Sequence, residues 1–210
     1  MYAEFLKVFL AIFVIVNPIG ILPRFIALTA GQKKSEILRT TRVSVFIGCA
    51  LLILFALAGK YILSFYGITT DGLRIAGGVL LFAVAFEMVF KGVPRTKHHP
   101  EGVVFKATDD VAVFPLAMPM LTGPGAITTV IILMQGQIGY AGYSSIIAAI
   151  LLTYAIAFFL FSFSEPVHRL LGETGTNVLT KVFGILMAAI SVEYIATGVQ
   201  NKALALMSRC

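Results

Sequence analysis

Long apolar stretches alternate with short polar segments along the chain. A membrane-spanning helix needs about 20 mostly apolar residues, and one uncharged stretch, residues 111–164, is far too long for a single crossing. We place a turn within it at residues 135–143, where Gly136, Gly139 and Gly142 favour a reversal of the chain. The pattern then predicts six membrane-spanning helices, at residues 8–30, 43–66, 73–90, 111–134, 144–164 and 177–200.

The composition identifies the class of protein. Hydrophobic residues make up 59% of the chain and charged residues 12%, whereas soluble domains average about 45–50% and about 25%. This excludes a soluble enzyme and a disordered protein, and it predicts an all-α polytopic protein in a lipid bilayer. No basic cluster with interleaved aromatic residues is present, so we expect no nucleic-acid partner. Glu4 and the lack of an A-x-A motif indicate that the apolar N-terminal segment is retained rather than cleaved.

Basic residues predict the orientation in the membrane. The connections between helices 1–2, 3–4 and 5–6 carry ten Lys and Arg residues, against five on the opposite side. Because cytoplasmic loops are enriched in Lys and Arg, these connections are predicted to be cytoplasmic. The N- and C-termini are then predicted to lie outside.

The two halves of the chain align when one is shifted by 106 residues. The shift pairs Pro18 with Pro124 and Glu87 with Glu193, residue types that are rare inside membrane helices. Each half has three predicted helices, an odd number, so the second half enters the membrane from the other side. Such inverted-topology repeats are typical of secondary transporters. The predicted units are a first three-helix repeat (1–91), a cytoplasmic connecting loop (92–110) and a second three-helix repeat (111–210).

Helices 1 and 4 carry Pro and Gly at matching places, namely N-P-I-G at residues 17–20 and L-T-G-P-G at residues 121–125. Proline removes a backbone donor and clashes with the preceding turn, so both helices are predicted to be broken near mid-membrane. Paired breaks indicate a transporter site; simple kinks with no ligand are the alternative. Helix N-termini and unpaired carbonyls at such breaks suit the carboxylate and ammonium of an amino acid. Side chains that could add hydrogen bonds are Asn17, Thr122, Thr128 and Thr129.

These motifs resemble those of the MarC family of integral membrane proteins, which includes the SnatA neutral amino acid transporters. The likeness covers nearly the whole chain in size, number of spans and both motifs. It implies a bacterial or archaeal inner-membrane protein that transports small neutral amino acids such as glycine or alanine. Carried over by motif, the residues that would border the substrate are Asn17, Pro18, Gly20, Thr122, Gly123, Pro124 and Gly125.

Three charged residues within predicted spans are candidates for gating or coupling. Ionisable groups inside a membrane are costly and commonly functional. Glu193 has no cation among its helical neighbours and is the first candidate, whereas Glu87 has Lys91 at i+4 and an interfacial ion pair is the alternative. Arg24 follows the first break, where it could pair with a carboxylate or extend to the headgroups.

Other functions remain open from the sequence. An intramembrane hydrolase could use Glu87 and Glu193, but no G-x-S-x-G or zinc motif is present. A non-transporting component acting through a partner is a further alternative, as is a lysine-exporter-like carrier of another small metabolite. We expect no enzyme activity, metal or cofactor. We also expect no ATP-driven transport, since no nucleotide-binding motif occurs. A homo-oligomer is possible from the sequence.

Overall fold

The computed structural model describes residues 2–90, 112–137 and 140–208, and all regular secondary structure within these ranges is helical. The predicted connecting loop, residues 92–110, lies outside the described residues, as does Lys91. The helices are α1 (Tyr2–Val16), α2 (Pro18–Leu28), α3 (Lys34–Phe65), α4 (Thr70–Phe90), a π-helix (Ala112–Leu121), α5 (Pro124–Gln135), α6 (Tyr140–Ser162) and α7 (Ser164–Met207).

Five helical segments in the described part of the chain are long and apolar enough to cross a membrane. They are Tyr2–Leu28, Lys34–Phe65, Thr70–Phe90, Tyr140–Ser162 and Thr174–Met207. The prediction of an all-α protein with several membrane helices is therefore confirmed. The predicted fourth helix corresponds to the π-helix and α5, each of which is shorter than a crossing requires.

Several helices extend beyond the predicted apolar stretches. α3 begins at Lys34 instead of residue 43, because the Lys33 backbone N–H donates to Glu36 Oε2 at 2.9 Å and caps the helix outside its apolar part. α7 begins at Ser164 instead of residue 177 and is bent at Gly172, which has a φ of 64°. Hydropathy locates the apolar part of a helix, whereas backbone hydrogen bonding decides where the helix ends.

Small residues bring α4 and α7 into close antiparallel contact. A Cβ on Gly78 would lie 2.7 Å from Ile195 Cγ1, and a Cβ on Gly184 would lie 2.9 Å from Val89 Cγ2. The beginning of α4 therefore meets the later part of α7, and the end of α4 meets the earlier part. Glycine at these positions permits the close approach that is common between membrane helices.

The core lies around α2 and α5. Eight of the twelve residues of α5 are buried, and in α2 the fully buried Phe25 stacks on Phe161 of α6 with ring centroids 4.6 Å apart. Large apolar side chains such as Phe46, Phe82 and Phe159 are instead exposed on the outer helices. In a bilayer these side chains contact lipid, so the exposed apolar surface is that of a membrane protein.

Two sides of the bundle are named here by their residues. Asn201 Nδ2 donates to Asp71 Oδ1 at 3.0 Å, which brings the last part of α7 to the beginning of α4; this side is called the Asp71 face. The ends of α2 and α4 lie on the opposite side, with Arg24 about one turn before the end of α2 and Glu87 in the last turn of α4; this side is called the Glu87 face.

Candidate functional site

Asn17 separates α1 from α2. Its φ of 50° and ψ of 54° are left-handed, a conformation that asparagine adopts more readily than most residues. Its backbone N–H still donates to the Phe13 carbonyl at 2.9 Å, but Pro18 has no N–H with which to continue the helical pattern. The helix therefore stops at Val16 and restarts at Pro18, a favoured first position of a helix.

The Asn17 side chain caps the restarted helix. Its Oδ1 accepts a hydrogen bond from the Gly20 N–H at 3.1 Å, and its Nδ2 donates to Met88 Sδ at 3.5 Å. A Cβ on Gly20 would lie only 2.8 Å from Asn17 Cγ, so glycine makes room for the capping side chain. Three residues of the N-P-I-G motif thus have local structural roles. Asn17 caps α2, Pro18 occupies its first position, and Gly20 leaves space for the capping side chain.

The second motif has a different local structure. The Thr122 N–H donates to the Ala117 carbonyl at 3.1 Å, which ends the π-helix, and α5 then begins at Pro124. Gly123 occupies the capping position with extended backbone, φ −76° and ψ 168°, and has no side chain to cap with. The first N–H groups of α5 therefore have no equivalent of the Asn17 cap.

Thr122 is buried in a hydrogen-bonded cluster. Its hydroxyl donates to the Gly48 carbonyl at 2.9 Å, so the Tyr154 hydroxyl at 2.6 Å must be the donor of the bond between the two side chains. Tyr154 is also 3.4 Å from the Leu121 carbonyl. The cluster joins the end of the π-helix to α3 and α6. Tyr154 carries no signal in the sequence, because it is one tyrosine within an apolar helix.

A small cavity lies beside the first break. Its volume is about 80 Å³, enough for a few water molecules or a very small solute and well below the roughly 300–1,000 Å³ of drug-sized sites. Asn17, Gly20, Arg24 and Glu87 line it, so the structure brings together four of the residues named from sequence. Its other lining residues are Ile15, Val16, Ile21, Val84, Met88, Met120, Thr180 and Met187.

The remaining predicted residues lie elsewhere. Thr128 is buried against Gly77, where a Cβ would overlap its side chain, and Gly125 packs against Leu81 in the same way. Pro18, Gly123 and Pro124 form the two helix starts, and Thr122 belongs to the buried cluster. Glu193 is exposed and does not line the cavity. None of Met88, Thr180 and Met187 carried a sequence signal, because only the packing of α4 and α7 brings them to the break.

A larger groove of about 790 Å³ runs between α3 and α6. Val45, Phe46 and Phe158 are among its lining side chains, and the lining is almost entirely apolar. A binding site for a polar solute needs a few placed polar groups. The small cavity at Asn17 offers them, whereas this groove is suited to contact with lipid chains.

Comparison with known proteins identifies the family. The model of the MarC family of integral membrane proteins matches residues 2–203. The chain belongs to the MarC family. A UPF0056 membrane protein of Methanocaldococcus jannaschii is 34% identical over 91% of this chain and 84% of the relative. One from Aquifex aeolicus is 36% identical over 94% of this chain and 92% of the relative, and YvbG of Bacillus subtilis is 30% identical over 96% of each.

The match to the MarC family confirms the resemblance seen in the two motifs. It also agrees with the helices of this MarC protein, five of which in the described residues are long and apolar enough to span a membrane. The relatives come from bacteria and archaea. No solved structure matches the chain.

Proposed function

We propose that this MarC protein is a secondary transporter of small neutral amino acids across the bacterial or archaeal inner membrane. The observation that supports the proposal best is the cavity of about 80 Å³ at the break between α1 and α2. Breaks in membrane helices are stable only inside protein or beside water, because the freed backbone groups need partners. A small solute in the cavity would meet such groups and charged side chains together.

The lining of the cavity suits a zwitterion. The carboxylate of Glu87 and the carbonyl end of α1, at Ile15 and Val16, are acceptors for an ammonium group. The guanidinium of Arg24 and the N-terminal end of α2 attract a carboxylate. Met88 and the other apolar lining residues leave room for only a small side chain, which favours glycine and alanine over larger amino acids.

We further propose six crossings arranged as two inverted repeats, with the π-helix and α5 together forming the fourth crossing. Contacts between α4 and α7 support this arrangement. A Cβ on Gly78 would lie 2.8 Å from the Ser191 carbonyl, and one on Gly184 would lie 3.3 Å from the Ala85 carbonyl. A shift of 106 residues converts the first contact into the second, and the same holds for the side-chain contacts Gly78–Ile195 and Gly184–Val89.

A second contact supports the same symmetry. Gly48 and Tyr154 are equivalent under the shift of 106 residues, and a Cβ on Gly48 would lie 2.9 Å from Tyr154 Cε1. In an antiparallel pair of repeats related by a two-fold axis, equivalent residues touch each other beside that axis. The crossing of α3 and α6 therefore suits an axis in the membrane plane, as inverted repeats require.

Basic residues are in excess in the connections between predicted helices 1–2, 3–4 and 5–6. This excess favours a cytoplasmic Glu87 face and an external Asp71 face, with both termini outside. With this orientation the cavity lies on the cytoplasmic side of the break. Glu87 then replaces Glu193 as the first candidate for coupling, because Glu87 lines the cavity.

The geometry gives little support to the hydrolase alternative. Glu193 lies between Ser191 and Ile195, level with Gly78, whereas Glu87 lies nine residues further along α4. At 1.5 Å per residue the two positions are about 14 Å apart along the helices. Paired carboxylates that act on one bond are usually within about 10 Å of each other.

Uptake of radiolabelled glycine and alanine into proteoliposomes, with and without a proton gradient, tests the function. Glu87→Gln is expected to lower uptake by about tenfold or more, the effect of losing a hydrogen bond to a charged group. Glu193→Gln changes the repeat-equivalent, exposed glutamate and should leave uptake unchanged. Folded protein that takes up no small neutral amino acid would overturn the proposal. Equal loss of uptake in both variants would refute the assignment of the cavity as the binding site.

A further inference from the structure

A group of polar side chains joins three helices at the Asp71 face. Asp71 accepts hydrogen bonds from Arg74 Nη1 and from Asn201 Nδ2, each at 3.0 Å, so α4 is joined to α7. The Thr70 hydroxyl donates to the Gln135 side-chain oxygen, which joins α4 to the end of α5. We call these five residues the Asp71 cluster. About a quarter of the surface of the Asp71 and Arg74 side chains is exposed, so the ion pair is partly shielded from solvent.

The positions equivalent to the Asp71 cluster, on the Glu87 face, bond differently. Thr176 and Thr29 are the equivalents of Thr70 and Gln135, and their hydroxyls donate at 2.8 Å to Gly172 and Phe25 respectively. Each of these bonds stays within its own helix or its cap. The equivalent of Arg74 is Thr180, which likewise donates within α7, to Thr176 at 2.8 Å. The bond between helices made by Thr70 and Gln135 at the Asp71 face is thus replaced by bonds within helices at the Glu87 face.

The packing of apolar side chains between helices also differs between the two faces. Leu81 of α4 occupies the space that Gly125 leaves on α5. The equivalent of Leu81 is Met187, which lines the cavity, and the equivalent of Gly125 is Ile19. Leu81 thus fills the space beside α5, whereas its equivalent Met187 borders the cavity toward the Glu87 face.

We propose that the Asp71 cluster is the gate that closes the binding cavity from the Asp71 face. The inference rests on the proposed transport function and adds the device that controls access to the same site. On this proposal the structure is the state in which the cavity is reached from the Glu87 face. Transport requires the Thr70–Gln135 and Asp71–Asn201 bonds to break, so that α4 separates from α5 and α7 and the cavity reaches the Asp71 face. Substrate can then pass from one side to the other without a continuous pore.

One-sided thiol labelling tests the gate without any transport measurement. The reporter is Thr180→Cys in the cavity, in a chain whose natural cysteines are replaced by Cys49→Ser and Cys210→Ser. Oriented vesicles are treated on one side at a time with Ag⁺, a thiol reagent small enough for a cavity of about 80 Å³. The protein is then unfolded in detergent and treated with a maleimide, so that thiols protected from the maleimide measure labelling by Ag⁺. Lys34→Cys and Tyr66→Cys, at exposed helix ends on opposite sides, identify the two faces. The unmodified gate should permit labelling from the Glu87 face only.

Breaking the cluster should open the other side. Asn201→Leu and, separately, Thr70→Val each remove one bond between helices. They are expected to raise labelling from the Asp71 face by about three- to tenfold, the shift that the loss of such a bond gives a two-state equilibrium. The control is Arg169→Gln, which breaks a highly exposed ion pair with Glu165, 3.3 Å long, and should change nothing. Unchanged labelling in both gate variants, with folded protein, would overturn the proposal.

A reversible cross-link provides the converse test. Cysteines at positions 70 and 135, where the native side chains are hydrogen-bonded, should be joined by a short bis-methanethiosulfonate reagent that spans the length of the lost glutamine side chain, and the cross-link should hold the gate closed. Uptake should then stop and return when a reductant is added. Uptake that continues in the cross-linked protein would refute the gate. If the gate variants change labelling as expected but the protein takes up no amino acid, the gate is supported and only the proposed substrate is refuted.

Discussion

Replacing Thr122 by valine decides between two roles for a residue of the L-T-G-P-G motif. The motif alone suggests that its hydroxyl contacts substrate. The structure buries Thr122 completely and uses its hydroxyl twice, as a donor to the Gly48 carbonyl and as an acceptor from Tyr154. Valine has nearly the same shape but lacks the hydroxyl. We therefore expect Thr122→Val to weaken the fold while leaving the uptake of substrate per folded molecule unchanged.

The magnitude follows from the bonds that are lost. Hydrogen bonds between membrane helices contribute about 0.6 kcal/mol on average and at most about 1.7 kcal/mol. Two of them are lost, but Tyr154 can still donate to the Leu121 carbonyl, 3.4 Å away. The net cost is about 1–2 kcal/mol, which lowers the melting temperature of a protein of this size by about 2–8 °C. In a double-mutant cycle, Tyr154→Phe should add little to Thr122→Val, because both remove the same interaction.

The assay is thermal unfolding of the purified protein in detergent, with uptake measured in parallel at a temperature where all variants are folded. Thr153→Val is the matched control, since the Thr153 hydroxyl is also fully buried but has no hydrogen-bond partner among the described residues. Its removal should be neutral or slightly stabilising. If Thr122→Val melts like the unmodified protein yet loses uptake, the hydroxyl acts on substrate and the structural role is wrong.

Two further predictions concern packing and selectivity. Gly78→Ala should destabilise the protein by about 1–3 kcal/mol, because the new Cβ meets backbone that cannot move aside. Gly175→Ala is its control in thermal unfolding, since a Cβ there meets only Leu171 Cβ at 3.6 Å. Thr180→Leu should narrow the cavity, so that competition assays show a greater loss of alanine uptake than of glycine uptake. Equal loss for both would contradict the placement of substrate beside Thr180.

Local rules account for the boundary between α1 and α2, but they reach only part of the lining of the candidate cavity. Proline and glycine act on their own helix, so the N-P-I-G motif indicates where α1 ends without knowledge of any neighbour. The structure adds the reasons for Asn17, Pro18 and Gly20. By contrast, Met88 and Thr180 reach the cavity through the packing of α4 and α7 against α2. Nothing in a uniformly apolar helix distinguishes a side chain that faces a cavity from one that faces lipid.

The proposed inverted repeat defines a second position equivalent to the cavity at Asn17. It would lie beside Gly123, where the side chains differ. Asn17, which caps α2, is matched by Gly123, which cannot cap. Met88, at the cavity, is matched by the bulkier Tyr194. Thr180 is matched by Arg74, which is held in an ion pair with Asp71.

On the proposed repeat, these larger side chains would occupy the second position, where Arg74 belongs to the Asp71 cluster. An exact repeat would have equal energies with either face open and two equal half-sites. In the proposed arrangement, unequal side chains on a symmetric backbone would instead favour one state, while the symmetry would keep the opposite state within reach. On this reasoning, substitutions that make the halves more alike should shift the balance between the two states before they alter the fold.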